Sequence, residues 1–169
     1  MEIDKTRTVA FSGHRSFKMA ARDNLFSPNN DAAGLAMCIS QTIRQLHASG
    51  YDTFLCGMAE GFDLMAGLEV LKLRDEFPEI RLFAIIPFPG QADSFSQKTR
   101  NTYDYILAKA DCQTTICPYY SQDCFHRRND FLIDNCSVLA CYYNGSKGGT
   151  AYTVKRALKY RIRVINIFL

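Results

Sequence analysis

The chain has 169 residues, 47% of them hydrophobic and 22% charged, which predicts a single globular domain over residues 1–169. No apolar run reaches the roughly 18 residues that cross a bilayer, and the N-terminus carries acidic residues, so we expect a cytoplasmic protein with no membrane segment and no signal peptide. The net charge of +3 is small and no aromatic-basic stripe is present, which argues against nucleic acid as a partner.

Short apolar runs alternate with helical patterns along the chain. The runs predict strands over residues 8–11, 53–56, 81–86, 113–117, 138–142 and 164–168. Apolar residues three or four apart predict helices over residues 32–49, 61–77, 93–109, 124–135 and 150–160. Continuous apolar strands joined by helices are typical of sheets covered on both faces. We therefore predict an α/β fold, a three-layer sandwich around a mainly parallel sheet of about six strands.

The seven cysteines are expected to be reduced thiols, because the count is odd and no export signal is present. Two pairs, Cys112/Cys117 and Cys136/Cys141, have four intervening residues, whereas a zinc knuckle has two. We therefore predict no metal site.

Ligands of open parallel sheets bind beyond the carboxyl ends of the strands, so the loops after the strands are the places to search. Four of these loops are rich in glycine or polar residues: 12–15, 57–63, 87–91 and 144–150. In the last loop, Gly148 and Gly149 allow a ligand to approach the backbone closely. Thr150 adds a hydroxyl beside the free N–H groups of a helix start, which favour an anion.

The loop after the second strand also places glycines before a helix. Gly57 and Gly61 lead into a helix, and the carboxylates Glu60 and Asp63 lie around its first turn. These acids are suited to bind ribose hydroxyls, and the alternative for Asp63 is that it only complements the helix dipole. Neither glycine loop matches a standard dinucleotide or P-loop fingerprint.

Basic residues occur at two further positions. In the cluster of residues 125–129, helical spacing aligns Phe125 with Arg128 or Asn129 on one side. This spacing turns Arg128 toward the sheet edge and Arg127 toward water, and a solvated basic turn is the alternative. After the first strand, Gly13 is followed by His14 and Arg15. His14 either hydrogen-bonds its own loop or assists proton transfer.

These residues together resemble a known family. Six segments occur in an order similar to that of the YpsA-like branch of the SLOG superfamily. They are FSGHRS, GMAEGFDLMAGLEVL, AIIPFPGQ, ILAKAD, RRNDFLIDNCSVLACYYNG and GGTAYTVKRAL. This Rossmann-like group includes DprA and the LOG phosphoribohydrolases. The resemblance implies a Rossmann-like fold and a nucleotide-type site that involves Gly13, Arg15, residues 57–63, Arg128 with Asn129, and residues 148–150.

One position departs from the LOG pattern. The glutamate of the LOG glycine loop corresponds to Thr153, and a threonine cannot act as a carboxylate base. The resemblance therefore favours a sensor or binding protein for a nucleotide derivative such as ADP-ribose or NAD. The alternative is a hydrolase or transferase acting on a nucleotide N-glycosidic bond, with Glu60 or Asp63 as the catalytic acid. The sequence implies no cofactor other than a bound nucleotide, and it leaves both a monomer and a homo-oligomer open.

Overall fold

In the computed structural model, which describes residues 2–15 and 32–168, six strands alternate with five α-helices. The strands are β1 (Thr8–Gly13), β2 (Thr53–Cys56), β3 (Arg81–Ile86), β4 (Cys112–Thr115), β5 (Val138–Tyr142) and β6 (Arg163–Asn166). The helices are α1 (Ala32–Ala48), α2 (Phe62–Arg74), α3 (Gln97–Lys109), α4 (Cys124–Asp134) and α5 (Gly149–Lys159). Short 3-10 turns occupy Lys5–Arg7 and Gln91–Ser94.

All strand pairs are parallel, and the strand order is β4-β3-β2-β1-β5-β6. Successive side chains of a strand point to opposite faces of the sheet. Val9 and Phe11 accordingly pack in a core with α1, α2 and α3, whereas Ala10 and Leu55 pack in a second core with α4 and α5. The predicted three-layer α/β sandwich is therefore confirmed.

The strand order reverses at β1. From β1 the chain adds β2, β3 and β4 on one side, then returns to place β5 and β6 on the other. Pairing between β1 and β5 extends to Gly13 opposite Tyr142, and the N–H of His14 donates to the Tyr142 carbonyl at 3.2 Å. The connections leaving β1 and β5 therefore diverge and open a crevice at the carboxyl edge, where ligands of such sheets bind.

The structure corrects several predicted boundaries; among them, α2 ends at Arg74 and not at residue 77, and β1 extends to Gly13. The helix expected over residues 93–109 begins at Gln97, because the Ser96 hydroxyl accepts from the N–H of Thr99 at 3.2 Å and caps it. The predicted strands 113–117 and 164–168 are observed as β4 and β6, each displaced toward the N-terminus. Both lie at sheet edges and are only partly covered, so their apolar residues do not mark the ends of pairing.

Within the described residues, no helix combines the length and the apolar character needed to span a membrane.

Candidate functional site

A cavity of about 340 Å³ opens at the crevice between β1 and β5. Its walls are Ser12, Gly13, His14, Arg15, Ala59, Asp63, Gln122, Phe125, His126, Arg128, Asn129, Gly149 and Thr150. The loop after β1, the start of α2, the first turns of α4 and the start of α5 thus meet at one point. Most residues that the sequence marks as a candidate site are brought together here.

Arg128 is the buried cation of this cavity, with 5% of its surface exposed. From the second turn of α4 it reaches across to the loop after β2, where Nη1 donates to the Gly57 carbonyl. Its Nε donates to the Asn129 Oδ1 at 2.7 Å. Burial lowers the pKa of this guanidinium, although an arginine stays protonated at physiological pH. The alternative of a solvated basic turn does not apply to Arg128.

Asp63 is the buried anion of the same cavity and lies in the first turn of α2. Its Oδ2 accepts from the N–H of Ala59 at 3.4 Å. Burial raises the pKa of the Asp63 carboxyl to about 6, against the opposing effect of Arg128 and, to a smaller extent, Arg15. Asp63 therefore changes its charge close to neutral pH.

His14 connects the two loops that flank the crevice. The ring is 2% exposed, and its Nε2 accepts from the backbone N–H of Asn144 in the loop after β5, at 3.0 Å. Its carbonyl accepts from the N–H of Phe62, the first residue of α2, at 3.2 Å. A ring nitrogen that accepts from a backbone amide carries no proton, so this nitrogen holds the site together and does not serve as an acid.

Two of the predicted glycines leave room for protein side chains. A Cβ on Gly13 would lie 2.4 Å from ring carbons of Phe62. A Cβ on Gly57 would lie 2.6 Å from Nη1 of Arg128 and 2.9 Å from Oδ2 of Asp63. Gly57 therefore makes space for the two buried charges and is not itself a wall of the cavity.

The two glycines at the start of α5 differ in role. Gly148 precedes the helix with φ 141° and ψ −166°, a conformation that essentially only glycine adopts. Gly149 lies in the cavity wall, and the nearest described atom to a Cβ placed there would be Nδ2 of Asn129, at 3.8 Å. No packing in the described structure requires a glycine at position 149, so its missing side chain keeps the cavity open beside the helix start.

Three further residues that the sequence analysis singled out lie outside this cavity. Gly61 immediately precedes α2 and, like Gly148, is not part of the wall. Glu60 lines a second, adjoining cavity, so the two candidate acids are separated between two cavities. Thr153 is fully buried and its hydroxyl donates to the Gly149 carbonyl at 2.9 Å, so it acts within α5.

Sequence reasoning missed several wall residues, chiefly Phe125, His126 and Gln122. Helical spacing aligned Phe125 with Arg128 but did not assign it to the site, and His126 had no indication beyond its place in the same basic cluster. Gln122 precedes α4 in an irregular segment. No local pattern distinguishes Gln122 from an ordinary surface residue.

The fold and the site together define a Rossmann-like α/β protein with a charged cavity at the strand-order reversal. Residues 9–167 match the YpsA family, described as the YspA SLOG family. The chain belongs to this family. Similar proteins include a UPF0398 protein of Bacillus velezensis, 26% identical over 92% of this chain and 85% of the relative. A UPF0398 protein of Bacillus thuringiensis is 25% identical over 95% of this chain and 86% of the relative.

Two solved structures share the fold. DNA processing protein A (DprA) of Streptococcus pneumoniae superimposes with a TM-score of 0.63 and 18% identity, over 95% of this chain and 50% of DprA. DprA of Helicobacter pylori, which binds single-stranded DNA, superimposes with a TM-score of 0.57 and 18% identity, over 93% of this chain and 63% of that DprA. The chain therefore spans about half to two thirds of these proteins.

The second DprA comparison contradicts the expectation that nucleic acid is an unlikely partner. That expectation rested on a net charge of only +3 and on a missing aromatic-basic stripe. A protein with this fold binds single-stranded DNA. Overall charge balance reports the sum over the whole surface, whereas a strand is bound by a local groove, so the charge balance does not decide the question.

Proposed function

We propose that this protein binds a nucleotide or a nucleotide derivative, such as ADP-ribose or NAD, at the carboxyl edge of its sheet. In this proposal it acts as a binding or sensing protein. A phosphate group occupies the cavity between β1 and β5, beside the start of α5. Membership of the SLOG family and the DprA-like fold support a ligand related to nucleotides or nucleic acids.

The observation that carries the proposal is the convergence of positive groups on one open cavity. Arg128 is buried there, and its Nη2 has no hydrogen-bond partner among the described residues. Arg15 lines the same cavity and is exposed to solvent. The N–H groups at the start of α5 carry a partial positive charge, and Gly149 leaves them accessible. Guanidinium groups and helix N-termini are the donors that bind phosphate in proteins.

A ligand panel followed by thermal unfolding tests the proposal. A ligand at 100 times its dissociation constant adds about 2.7 kcal/mol, which raises the Tm of a chain of this size by roughly 5–11 °C. We expect this response to AMP, ADP-ribose or NAD, and none to adenosine, which lacks a phosphate. A single-stranded oligonucleotide belongs in the panel because of the DprA comparison. A flat response to every phosphate-bearing ligand, or a response to the oligonucleotide alone, would contradict nucleotide binding.

Asp63 supports a second candidate, cleavage of a nucleotide N-glycosidic bond. A cavity carboxyl whose pKa is raised by burial to about 6 is suited to exchange a proton near neutral pH. Assaying free base released from AMP or NAD tests this candidate. Turnover that Asp63→Asn abolishes would support it, and turnover that survives the change would remove Asp63 from the reaction.

A further inference from the structure

A second cavity, of about 320 Å³, adjoins the first. Arg15, Ala59 and Phe125 line both cavities, so one ligand can extend from one into the other. Phe88 and Tyr120 add further aromatic surface to this second cavity. The ring of Phe88 meets those of Tyr120 and Phe125 edge to face, at centroid distances of 5.1 and 5.6 Å. A wall of this kind suits a planar aromatic group, and nucleobases bind to proteins by stacking on such side chains.

Gln91 is the buried polar residue of this second cavity, and it also lines a further cavity beside α3. It begins the 3-10 turn after β3, and its backbone N–H donates to the Phe88 carbonyl at 3.3 Å. The residue is only 6% exposed, yet its Oε1 accepts no hydrogen bond from any residue that the structure describes. A buried acceptor left without a donor costs roughly 1–3 kcal/mol. The oxygen itself has almost no accessible surface, so the side-chain amide has to turn into the cavity before an N–H group of a ligand can remove this cost.

We propose that the second cavity binds the adenine base of the nucleotide, with the Gln91 amide pairing with its amino edge. This inference rests on the proposed function, which places the phosphate of the same ligand in the first cavity. Glutamine pairs with adenine in a bidentate manner, because its carbonyl accepts from the N6 amino group and its amide donates to N7. Glu60 also lines the second cavity and is the acceptor that we assign to the ribose hydroxyls.

The test compares AMP with purine riboside 5′-phosphate, which differs only by lacking the amino group. Calorimetric titration of the unmodified protein should give an affinity for AMP at least about fivefold higher, since a good bidentate pair discriminates by roughly 1–3 kcal/mol. Gln91→Met, of similar length but without the amide, should bind the two ligands equally. Its Tm should be unchanged or higher, because the Oε1 has no hydrogen bond within the described structure to lose.

Equal affinity of the unmodified protein for the two nucleotides would overturn the inference, whether or not Gln91→Met folds. Discrimination that persists in Gln91→Met would remove Gln91 from base recognition and overturn it as well. Ribose 5-phosphate separates this inference from the proposed function. If it binds as tightly as AMP, base recognition fails and phosphate binding stands. If neither it nor either nucleotide binds, both proposals fail.

Discussion

At the residue scale, Arg128 connects the fold to the site. Its guanidinium joins α4 to the Gly57 carbonyl and lies near Asp63, while another edge remains available to the cavity. Removing one member of a buried charged pair costs about 3–5 kcal/mol, because the other charge is left uncompensated. A substitution of Arg128 therefore affects folding and ligand binding together, and Arg15 is the better residue for isolating the ligand contact.

Arg15→Ala should weaken AMP binding by about tenfold or more, since charge-assisted hydrogen bonds contribute roughly 1.5–3 kcal/mol. The stability of the fold should change by no more than about 0.5 kcal/mol, because Arg15 is exposed. Arg127→Ala is the matched control, as it removes the same charge from an exposed position outside both cavity walls. Calorimetry should show no change for this control. An equal loss in both variants would indicate a general charge effect instead of a contact.

Asp63 predicts a dependence of stability on pH. Its folded-state pKa of about 6 lies above the ordinary 3.8, so between these values the folded state keeps a proton that the unfolded chain has released. The contribution of Asp63 to stability therefore falls as pH rises from about 4 to about 6. Asp63→Asn removes this titration. Relative to the unmodified protein, its free energy of unfolding should rise by about 2 kcal/mol across that interval.

Urea unfolding at pH 4, 5, 6 and 7 measures this difference between the two proteins. A difference that stays constant over the series would show that the pKa of Asp63 is not raised in the folded state, with Arg128 offsetting its burial.

At the element scale, the carboxyl end of β1 and the start of α2 are fitted to each other. Phe62 begins α2 and is fully buried, with its ring 6.3 Å from that of Phe11 and 6.0 Å from that of Tyr142. A Cβ on Gly13 would lie 2.4 Å from this ring, which has no free space to enter. The glycine is therefore a packing requirement of β1 against α2, in addition to its place in the cavity wall.

Gly13→Ala should destabilise the protein by roughly 1–3 kcal/mol, the usual cost of overpacking a core. In a chain of this length that lowers the Tm by about 2–12 °C. Gly149→Ala is the control, because a Cβ there has only ordinary contact distances to described atoms and its Tm should hardly change. Equal Tm values for the two variants would show that α2 moves aside at no cost.

The elements at the centre of the sheet could be predicted from the sequence more closely than those at its edges. Strands β2, β3 and β5 have the predicted bounds, because a strand covered on both faces must be apolar throughout. Strands β4 and β6 are partly exposed, so their apolar residues extend beyond the pairing.

The residues of the candidate site likewise differ in how far they could be predicted from the sequence. Helical spacing indicated that Arg128 faces the sheet edge, since the contact depends on its own helix. Gln91 lies in a loop that the sequence marked as polar, yet nothing local indicated a role. Its cavity forms where the turn after β3 meets the start of α4, and such tertiary proximity leaves no pattern of spacing along the chain. For the same reason, Gly13 could be marked as unusual while its contact with Phe62 could not be predicted.

At the scale of the whole molecule, the positive groups of the cavity are few but converge from separate parts of the chain. Arg15 follows β1, Arg128 comes from α4, and the helix start belongs to α5. A net charge of +3 gives no indication of this local convergence. The oligomeric state of the protein stays a prediction.

The affinity of Gly149→Asp for AMP, measured by calorimetry beside that of Gly149→Asn, tests the phosphate site most directly. The two side chains have nearly the same shape, so their difference isolates one negative charge at the start of α5. An acidic residue there complements the helix dipole and should leave the Tm equal or higher. We predict that Gly149→Asp binds AMP at least tenfold more weakly than Gly149→Asn. Equal affinities would show that the phosphate does not lie at this helix start and would contradict the proposed function.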